Sequence, residues 1–574
     1  MNRLDPITQA PTLSGPNNDA FLRLRDAWMA ISLALIGLVS VAVSALAISK
    51  AGIGWDSGVD TQAALEVRAI EPGTGLYDAY EQVFLTSEFY GVLVQWAADL
   101  VYQLLGGNGP LPTDLAVTYQ LQAAVNLTLF VISSVLVSAV VAVIVKSRVT
   151  GLFVWACLVS LPILMGFAGI NFKDLPVASG LLLVSAGVAL LSAYVVGNSR
   201  SLVWSVLLVG LGTFVALGVR IGAWVLVGAI LAPSVGLFTA LSLRSRQPGI
   251  ALVQLLAPLM GVLGGVLGVY LLHPIARIDI ARWAWDAYLV SGSYPWIGTI
   301  RVLGQDVTST SLPWWYVPAW LMAQLPILMI GSVVLGLVFW VSRIVTSTTD
   351  ALRKIEESDH PSTLAFTPFA VQALVLPVGL VVVGVTLYDG IRHLTFAIPA
   401  LIVMTAPLAS FVNSGTGPVT GKSKVIAVIA AAGLVAIPMG NAVSSIRWFP
   451  YMYAYVNPIA VAVDEGRDWE YDYWGTTVQE GADRLANLGQ EVIVVSPPIG
   501  PLGNLEVAGG VSVDEVSPET EYGLYVFRRW YADVPTKGCE SVFQISRGGI
   551  VLGEGAICRG PESLAQLRGN VREP

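Results

Sequence analysis

The sequence is poor in charge and in the side chains that most often bind metals. Asp, Glu, Lys and Arg make up 12% of its 574 residues, and it has three histidines and three cysteines. Hydrophobic residues make up 55%, and the mean hydropathy of +0.70 excludes the class of soluble multidomain proteins. The composition therefore predicts a polytopic α-helical membrane protein, with membrane lipids and no nucleic acid among its partners.

Apolar runs of about 18 to 25 residues, long enough to cross a bilayer, recur along the chain. We predict about eleven spans, at 27–49, 121–145, 151–168, 177–196, 202–219, 222–241, 250–272, 317–341, 371–387, 394–412 and 425–443. The segment before the first run is too long and too acidic for the charged region of a secretory signal, and no convincing cleavage site follows it. The first run is therefore predicted to be retained as a span.

Lys and Arg residues predict the orientation, because short loops that carry them stay on the cytoplasmic side. With residues 1–26 inside, every inner loop is positive, through Lys146 and Arg148; Arg200; Arg244 and Arg246; Arg343, Arg353 and Lys354; and Lys422 and Lys424. An odd number of spans then places the tail outside. We expect a multi-pass protein of the cell membrane, either plasma or inner membrane, with a cytoplasmic segment 1–26 and a transmembrane domain 27–445.

Two outer regions within the transmembrane domain are too long to be simple connections. In 50–120, the stretch 89–105 has apolar residues at helical spacing, which predicts a helix lying in the interface. The region 273–316 is rich in Trp and Tyr, as is typical of the headgroup level.

The tail 446–574 is more polar and forms a third outer region. Short β-type runs at 491–497, 522–531 and 548–554 follow a helical stretch, which predicts a small exported α/β domain. Cys539 and Cys558 both lie in this tail, where a disulfide is chemically permitted. Two free thiols are the alternative, and Cys157, inside a span, is interpreted as a packing residue.

Charged side chains recur where this topology places the outer ends of the spans. They are Asp56, Asp60, Lys173, Asp174, Arg220, His273, Asp389, Arg392 and His393. Each one alone could be a snorkelling or helix-capping residue. Ionisable groups at membrane depth are costly unless paired or functional, so their recurrence at one face predicts a site that opens to the outer side.

The residue types indicate which chemistry such a site could perform. A carboxylate can take the proton of an acceptor hydroxyl, while Arg and Lys offset the charge that develops on a phosphate leaving group. A transporter or flippase for a lipid-linked sugar is the alternative from another class. It would be expected to carry polar groups near the bilayer midplane in repeated halves, and the sequence has few mid-span charges and no evident repeat.

Several motifs resemble the C-type superfamily of membrane glycosyltransferases, in particular the bacterial branch related to protein O-mannosyltransferases and aminoarabinose transferases. They are GIGWDSGVD (52–60), NFKDLP (171–176), YDGIRHLTFAIP (388–399), FPYMYAYVNP (449–458) and WEYDYWGTTVQEGADRL (469–485). The resemblance implies a GT-C-like fold and inverting transfer of a sugar from a polyprenyl-phosphate-linked donor to an extracytoplasmic acceptor, which would be an envelope glycan, a lipid or a protein.

The resemblance also implies roles for individual residues. Asp56 is the candidate general base, and Asp174, with Lys173, is a second acid that helps to position the acceptor or the donor phosphate. Candidates for phosphate contact are Arg220, His273, Arg392 and His393.

The first loop departs from the family's pattern at the position after the acid. Many relatives have an Asp-Glu pair there, whereas Ser57 follows Asp56 here and the next acid is Asp60, so the sequence does not choose between Asp56 and Asp60 as the base. Two carboxylates could hold Mg²⁺ or Mn²⁺, which leaves the need for a metal open. An envelope polysaccharide polymerase or ligase is the nearest alternative function.

Overall fold

The protein is a bundle of apolar helices with a small C-terminal sheet and two substantial loop regions, which are called outer regions because the sequence predicts them on that side. The structure, a computed structural model, describes residues 16–54, 56–83, 86–108, 111, 115–195, 199–292, 294, 296–351, 363–414, 421–463, 468–496, 511–527 and 533–570. The prediction of a polytopic helical protein with a small α/β region near its C-terminus is confirmed.

Eight helices within the described residues are long and apolar enough to cross a membrane. They lie within Pro16–Ile48, Leu115–Val145, Asp174–Val195, Ser199–Val219, Ile221–Arg244, Pro248–Leu272, Ile327–Ala351 and Gly421–Trp448. A ninth span is possible by length if Arg148–Ser160 and Pro162–Ile170, which meet at an angle of 57°, are taken together.

The structure does not confirm the predicted count of eleven spans. The runs predicted at 371–387 and 394–412 form shorter apolar helices, Thr367–Val383 and Ile398–Asn413. The first of these contains a π-helical turn and ends at Gly384, whose φ of 76° lies in the left-handed region that terminates helices. The run predicted at 317–341 is likewise divided, into Tyr316–Gln324 and a helix that starts at Ile327 after Pro326.

The helix Asp174–Val195 lies at the centre of the bundle, and its apolar window is completely buried. It packs most extensively against Ser199–Val219. Gly180 and Gly212 face each other at this contact, and a Cβ on Gly180 would lie 2.6 Å from the Gly212 carbonyl oxygen. Small residues let the two helices approach closely, as is common between membrane helices. Asp174, at the start of the central helix, is therefore placed by tight packing.

The first outer region folds into short helices over the bundle. They are Ser57–Ala69, Leu76–Glu81, the 3₁₀ turn Ser87–Phe89 and Leu93–Leu104. The last of these corresponds to the helix predicted at 89–105, and it buries Val94 and Ala98 while Leu100 and Leu104 are exposed. Gly91 N–H donates to Val219 O at 2.7 Å, which ties this region to the end of a membrane helix.

The second outer region begins with the helix Pro274–Gly292. A hairpin follows, formed by β1 (Thr299–Val302) and β2 (Gln305–Thr308). The hairpin turn contacts the C-terminal part of the chain, because Gly304 N–H donates to Asp468 O at 3.0 Å. The short helix Tyr316–Gln324 then leads back to the next membrane helix.

The C-terminal sheet has four strands in the order β3-β4-β6-β5. The strands are β3 (Ile493–Ser496), β4 (Tyr522–Phe527), β5 (Cys539–Arg547) and β6 (Ile550–Cys558). β3 and β4 are parallel and the other pairs are antiparallel. The helices Pro458–Val463, Val478–Asn487 and Pro561–Asn570 are the remaining helices described in this part of the chain. The sequence runs located β3, β4 and β6 but not β5, an edge strand whose residues are mostly polar.

Cys539 and Cys558 form a disulfide at the open end of the β5–β6 hairpin. Removing a disulfide from a small domain typically costs about 2 to 5 kcal/mol of stability. In the full-length protein we therefore expect Cys539→Ser/Cys558→Ser to speed cleavage of the C-terminal part by trypsin in the non-reduced state. Cys157→Ala, at a buried cysteine outside the bridge, is the control. Equal cleavage rates in the double variant and the control would contradict this expectation.

Candidate active site

A cluster of paired charges lies where the outer loops meet the ends of the membrane helices. Its members are Asp56, Asp60, Lys173, Asp174, Arg220, Asp389, Arg392 and, beside them, His393. These residues come from four separate stretches of chain. The structure thus brings together every ionisable site residue predicted from the sequence except His273.

Asn171 fixes the local geometry of the NFKD turn. Its side-chain oxygen accepts from the backbone N–H groups of Lys173 (3.2 Å) and Asp174 (2.7 Å), as an N-cap does, and its amide group donates to Asp174 Oδ2 at 3.0 Å. The Asn126 amide in turn donates to Asn171 O at 2.9 Å. The two charged side chains therefore leave the central helix in fixed directions.

Lys173 joins the two acids of the first outer loop. Its Nζ lies 2.6 Å from Asp60 Oδ1 and 3.7 Å from Asp56 Oδ2. Asp56 precedes the helix Ser57–Ala69 and Asp60 lies in its first turn, so the four-residue spacing directs both carboxylates to the same ammonium group. Lys173 also lies over the ring of Tyr90, with Nζ 4.4 Å from the ring centroid.

Arg392 is the most buried cation of the cluster, with 3% of its side chain exposed, and it pairs with three carboxylates. Its Nη1 lies 3.0 Å from Asp56 Oδ2 and 2.8 Å from Asp389 Oδ2, and its Nε lies 3.3 Å from Asp174 Oδ2. A buried guanidinium is tolerated only when partners offset its desolvation, and these three acids supply that compensation.

Arg220 and Asp56 are the most accessible of the charged members of the cluster. Each has 26% of its side chain exposed, compared with 5% for Asp60 and 11% for Lys173. Arg220 Nη2 pairs with Asp174 Oδ1 at 3.3 Å, whereas its Nε has no hydrogen-bond partner among the described residues. That Nε is itself buried, so the cluster presents a carboxylate and the outer part of a guanidinium on its open side.

Asp56 and Asp60 differ in protonation. Burial raises the pKa of both carboxyls, but Lys173, Arg392 and Arg220 together lower the pKa of Asp56 to about 2. For Asp60, burial outweighs the opposing effect of Lys173, and the negative charge of Asp56 adds to it, so the pKa of Asp60 is raised to about 6. Asp56 is thus ionised at neutral pH, whereas Asp60 titrates close to the physiological range.

His393 lies in the cluster as a neutral imidazole. Burial and the Arg392 guanidinium lower the pKa of His393 to about 3. Its Nδ1 accepts the backbone N–H of Tyr388 at 3.3 Å, and its ring packs edge-on against the Tyr388 ring. His393 therefore supports the loop that carries Arg392 and supplies no positive charge for the predicted phosphate contact.

His273 lies outside the cluster. It is buried and stacks on Trp283, with ring centroids 4.3 Å apart, and more distantly on Trp96. Burial lowers the pKa of His273 to about 3, and no carboxylate of the described residues forms an ion pair with it. The chain turns at His273 beneath the first outer region, so the histidine packs between aromatic rings and does not reach the charges.

Four residues of the site have no predicted role, although the sequence does place Asp389 at the same outer face. Asp389, with a φ of 56°, precedes Gly390 in the YDGIRH motif, and its carboxylate pairs with Arg392. Trp474 donates to the same carboxylate, and the rings of Tyr90 and Tyr388 lie beside the cations. The motifs contain three of these residues, but nothing in the sequence indicated their long-range contacts.

The carboxylates do not form an evident metal site. No group of three or more His, Cys, Asp or Glu side chains suited to a metal ion occurs within the described parts of the chain. Asp56, Asp60 and Asp174 each face an ammonium or guanidinium group, so a divalent cation there would be repelled by Lys173 and Arg392. The residues present therefore do not fit Mg²⁺ or Mn²⁺ at this cluster.

Comparisons with known proteins give matches to solved structures alone. No protein-family model matches the sequence, and no curated protein matches it. ArnT from Cupriavidus metallidurans, solved with undecaprenyl phosphate bound, aligns over 91% of this chain and 97% of its own, at 12% identity and a TM-score of 0.42.

The oligosaccharyltransferase of Archaeoglobus fulgidus, in its apo form, aligns over 82% of this chain, at 10% identity and a TM-score of 0.45. The oligosaccharyltransferase AglB from Archaeoglobus fulgidus, solved with an inhibitory peptide and a dolichol-phosphate, aligns over 82% of this chain, at 9% identity and a TM-score of 0.45. The alignment spans 62% of the length of the archaeal protein.

Proposed function

We propose that this protein is a membrane glycosyltransferase that moves a sugar from a polyprenyl-phosphate donor to an acceptor hydroxyl on the extracytoplasmic side. The observation that carries the proposal is that a partly exposed, ionised Asp56 and a partly exposed Arg220 lie in one cluster. A carboxylate and a guanidinium on the same open side are the two groups that removal of a proton and departure of a phosphate require.

Asp56 is the better candidate for the base. A general base must reach the hydroxyl whose proton it takes, and Asp56 is about five times as exposed as Asp60, with side-chain exposures of 26% and 5%. Asp60 instead holds Lys173 at 2.6 Å beneath the surface of the cluster. Asp56 also carries its negative charge at neutral pH, as a base must.

Arg220 is the candidate for contact with the donor phosphate. It is the most exposed of the three cations, with 26% of its side chain accessible. A guanidinium can form two parallel hydrogen bonds to a phosphate. Lys173 and Arg392 are more buried and act on the phosphate by charge at longer range.

In the proposed reaction, the acceptor oxygen attacks the anomeric carbon of the donor sugar from the face opposite the phosphate. Its proton passes to Asp56 as the new glycosidic bond forms and the bond from the anomeric carbon to the phosphate oxygen breaks, with inversion. The electron pair leaves with the polyprenyl phosphate, whose charge Arg220 and its neighbours offset. No redox partner is needed.

Binding of the donor would also raise the basicity of Asp56. The cations Lys173, Arg392 and Arg220 lower the pKa of this carboxyl in the free protein. A phosphate bound to Arg220 adds negative charge nearby and draws on the same cations, so the pKa of Asp56 rises toward the value of an effective base. The cluster would therefore be activated by the donor it uses.

The acceptor would be an envelope glycan, a lipid or a protein, because each can present a hydroxyl at the outer membrane surface. The assignment of the outer side depends on the positive inner loops, with Lys146, Arg148 and Arg200 among them.

Asp56→Asn tests the assignment of the base. It preserves size and removes the proton acceptor, so we expect the rate of sugar transfer to fall by about 10²- to 10⁴-fold. Membranes containing the variant would be supplied with labelled polyprenyl-phosphate sugar and an envelope extract as acceptor. Asp78→Asn, at an exposed acid of the same outer loop, is the matched control. Wild-type transfer by Asp56→Asn would remove Asp56 from the mechanism.

Arg220→Gln tests the phosphate contact. Hydrogen bonds to charged groups contribute about 1.5 to 3 kcal/mol, so we expect the KM for the donor to rise by about 10- to 100-fold. Arg282→Gln, at an arginine exposed on the outer helix Pro274–Gly292, should leave the KM unchanged. An unchanged donor KM in Arg220→Gln would show that the phosphate binds elsewhere.

The raised pKa of Asp60 predicts an acid limb in the pH profile. As the pH falls through about 6, Asp60 takes up a proton and Lys173 keeps only Asp56 as a close carboxylate partner. We therefore expect the transfer rate to decrease below about pH 6 in the wild type. In Asp60→Asn the side chain at position 60 is neutral at every pH. This variant should therefore transfer sugar slowly, and its rate should not decrease further below about pH 6. The assignment fails if the variant retains the same limb.

A further inference from the structure

Arg392 is held on its inner side by a pair of residues from distant parts of the chain. Asp389 Oδ2 accepts from Arg392 Nη1 at 2.8 Å and from the indole Nε1 of Trp474 at 3.2 Å. The guanidinium also lies over the Trp474 ring, 5.2 Å from its centroid. Trp474 therefore contacts Arg392 in two ways, directly through its ring and indirectly through Asp389.

Both supporting residues are buried, at 6% exposure for Asp389 and 3% for Trp474. Their hydrogen bond is therefore shielded from water, and loss of the indole donor would leave a buried carboxylate oxygen with one partner fewer. Because the same Nη1 of Arg392 contacts Asp389 and Asp56, a shift of Asp389 would change the distance from Arg392 to Asp56.

Trp474 is fixed by a rigid turn, residues 472–477. The Asp472 carboxylate accepts from the backbone N–H groups of Thr476 (2.9 Å) and Thr477 (3.0 Å) and from the hydroxyl of Tyr453. Gly475, with a φ of 63°, allows the reversal that only glycine adopts readily. The turn is therefore determined by its own hydrogen bonds and not by the cations of the cluster.

The same turn contacts the C-terminal sheet and the segment before Asp56. A Cβ on Gly475 would lie 2.9 Å from the ring of Phe527, in strand β4. On its other side, Thr476 O accepts from Gly52 N–H at 2.9 Å. One turn thus contacts Arg392 and the segment that leads to Asp56, and it connects both to the sheet.

We propose that Trp474 is a positioning residue of the transfer reaction, which acts through Asp389 to hold the Arg392 guanidinium against Asp56. The C-terminal part of the chain then supports the active site on its buried side, through the turn 472–477. This inference rests on the proposed function for its rate measurements, and one of its tests is independent of transfer.

Trp474→Phe tests the role of the indole N–H, because it keeps an aromatic ring beneath Arg392 and removes the donor. We expect kcat for sugar transfer to fall about 10-fold while the KM for the donor stays within about twofold of wild type. Trp469→Phe is the matched control, since Trp469 is equally buried in the same segment and its indole nitrogen has no hydrogen-bond partner among the described residues. It should behave as the wild type.

Asp389→Asn and the double variant separate positioning from a general loss of packing. If Trp474 acts through Asp389, the double variant Trp474→Phe/Asp389→Asn loses little more kcat than Asp389→Asn alone. The two separate losses of kcat then do not multiply. Multiplying losses, or a loss in Trp474→Phe no larger than that in Trp469→Phe, would overturn the proposal. So would an increase in donor KM with unchanged kcat.

Carbodiimide labelling of Asp56, followed by mass spectrometry, measures the positioning without any transfer. The ionisable groups that face Asp56 are Lys173, Asp60, Arg220, Tyr294, Tyr388, Arg392 and His393. A displaced Arg392 stabilises the carboxylate less, so Asp56 should be labelled faster at about pH 5 in Trp474→Phe than in Trp469→Phe. Equal labelling overturns the inference. Faster labelling in a protein that transfers no sugar would support it while the proposed function fails.

Discussion

The buried guanidinium of Arg392 is the constraint on which the rest of the site depends. It cannot be removed from water without compensation, and the compensation comes from three carboxylates, those of Asp56, Asp174 and Asp389. These acids belong to the first outer loop, the central helix and the turn that carries Arg392 itself. One cation thus determines how the outer loop sits on the bundle, and the remaining charges are arranged around that contact.

Much of the site could be predicted because topology sorts charges by side of the membrane. The predicted topology puts residues as distant as Asp56 and Arg392 at the same face, and the structure joins these two side chains. The sequence does not predict which side chains contact one another within the site. Trp474 and Asp389 meet across 85 residues of sequence, and no local pattern reports an indole hydrogen bond. His273 is predicted in the cluster because the sequence indicates its side of the membrane. The sequence does not indicate that the imidazole is buried among aromatic rings.

The sequence predicts the class of fold correctly, but it is less reliable for the number of membrane spans. Hydropathy locates apolar helices, but it does not distinguish a helix that crosses the bilayer from one that is interrupted. Breaks occur at Pro162, before Ile327 and at Gly384, where proline or a left-handed residue ends a helix within an apolar stretch. In the C-terminal sheet, buried strands were evident from their apolar residues, whereas β5 lies at the edge and is mostly polar, so it gave no comparable signal.

The ring of Tyr90 has a consequence for how two cations share one small site. Lys173 lies 4.4 Å and Arg220 5.0 Å from its centroid, so the negative potential of one aromatic ring stabilises two like charges. Tyr90 also pairs by its backbone with Arg220 in an isolated β-bridge. The ring therefore supports two cations in one small site without a further carboxylate, which would compete with an incoming anion.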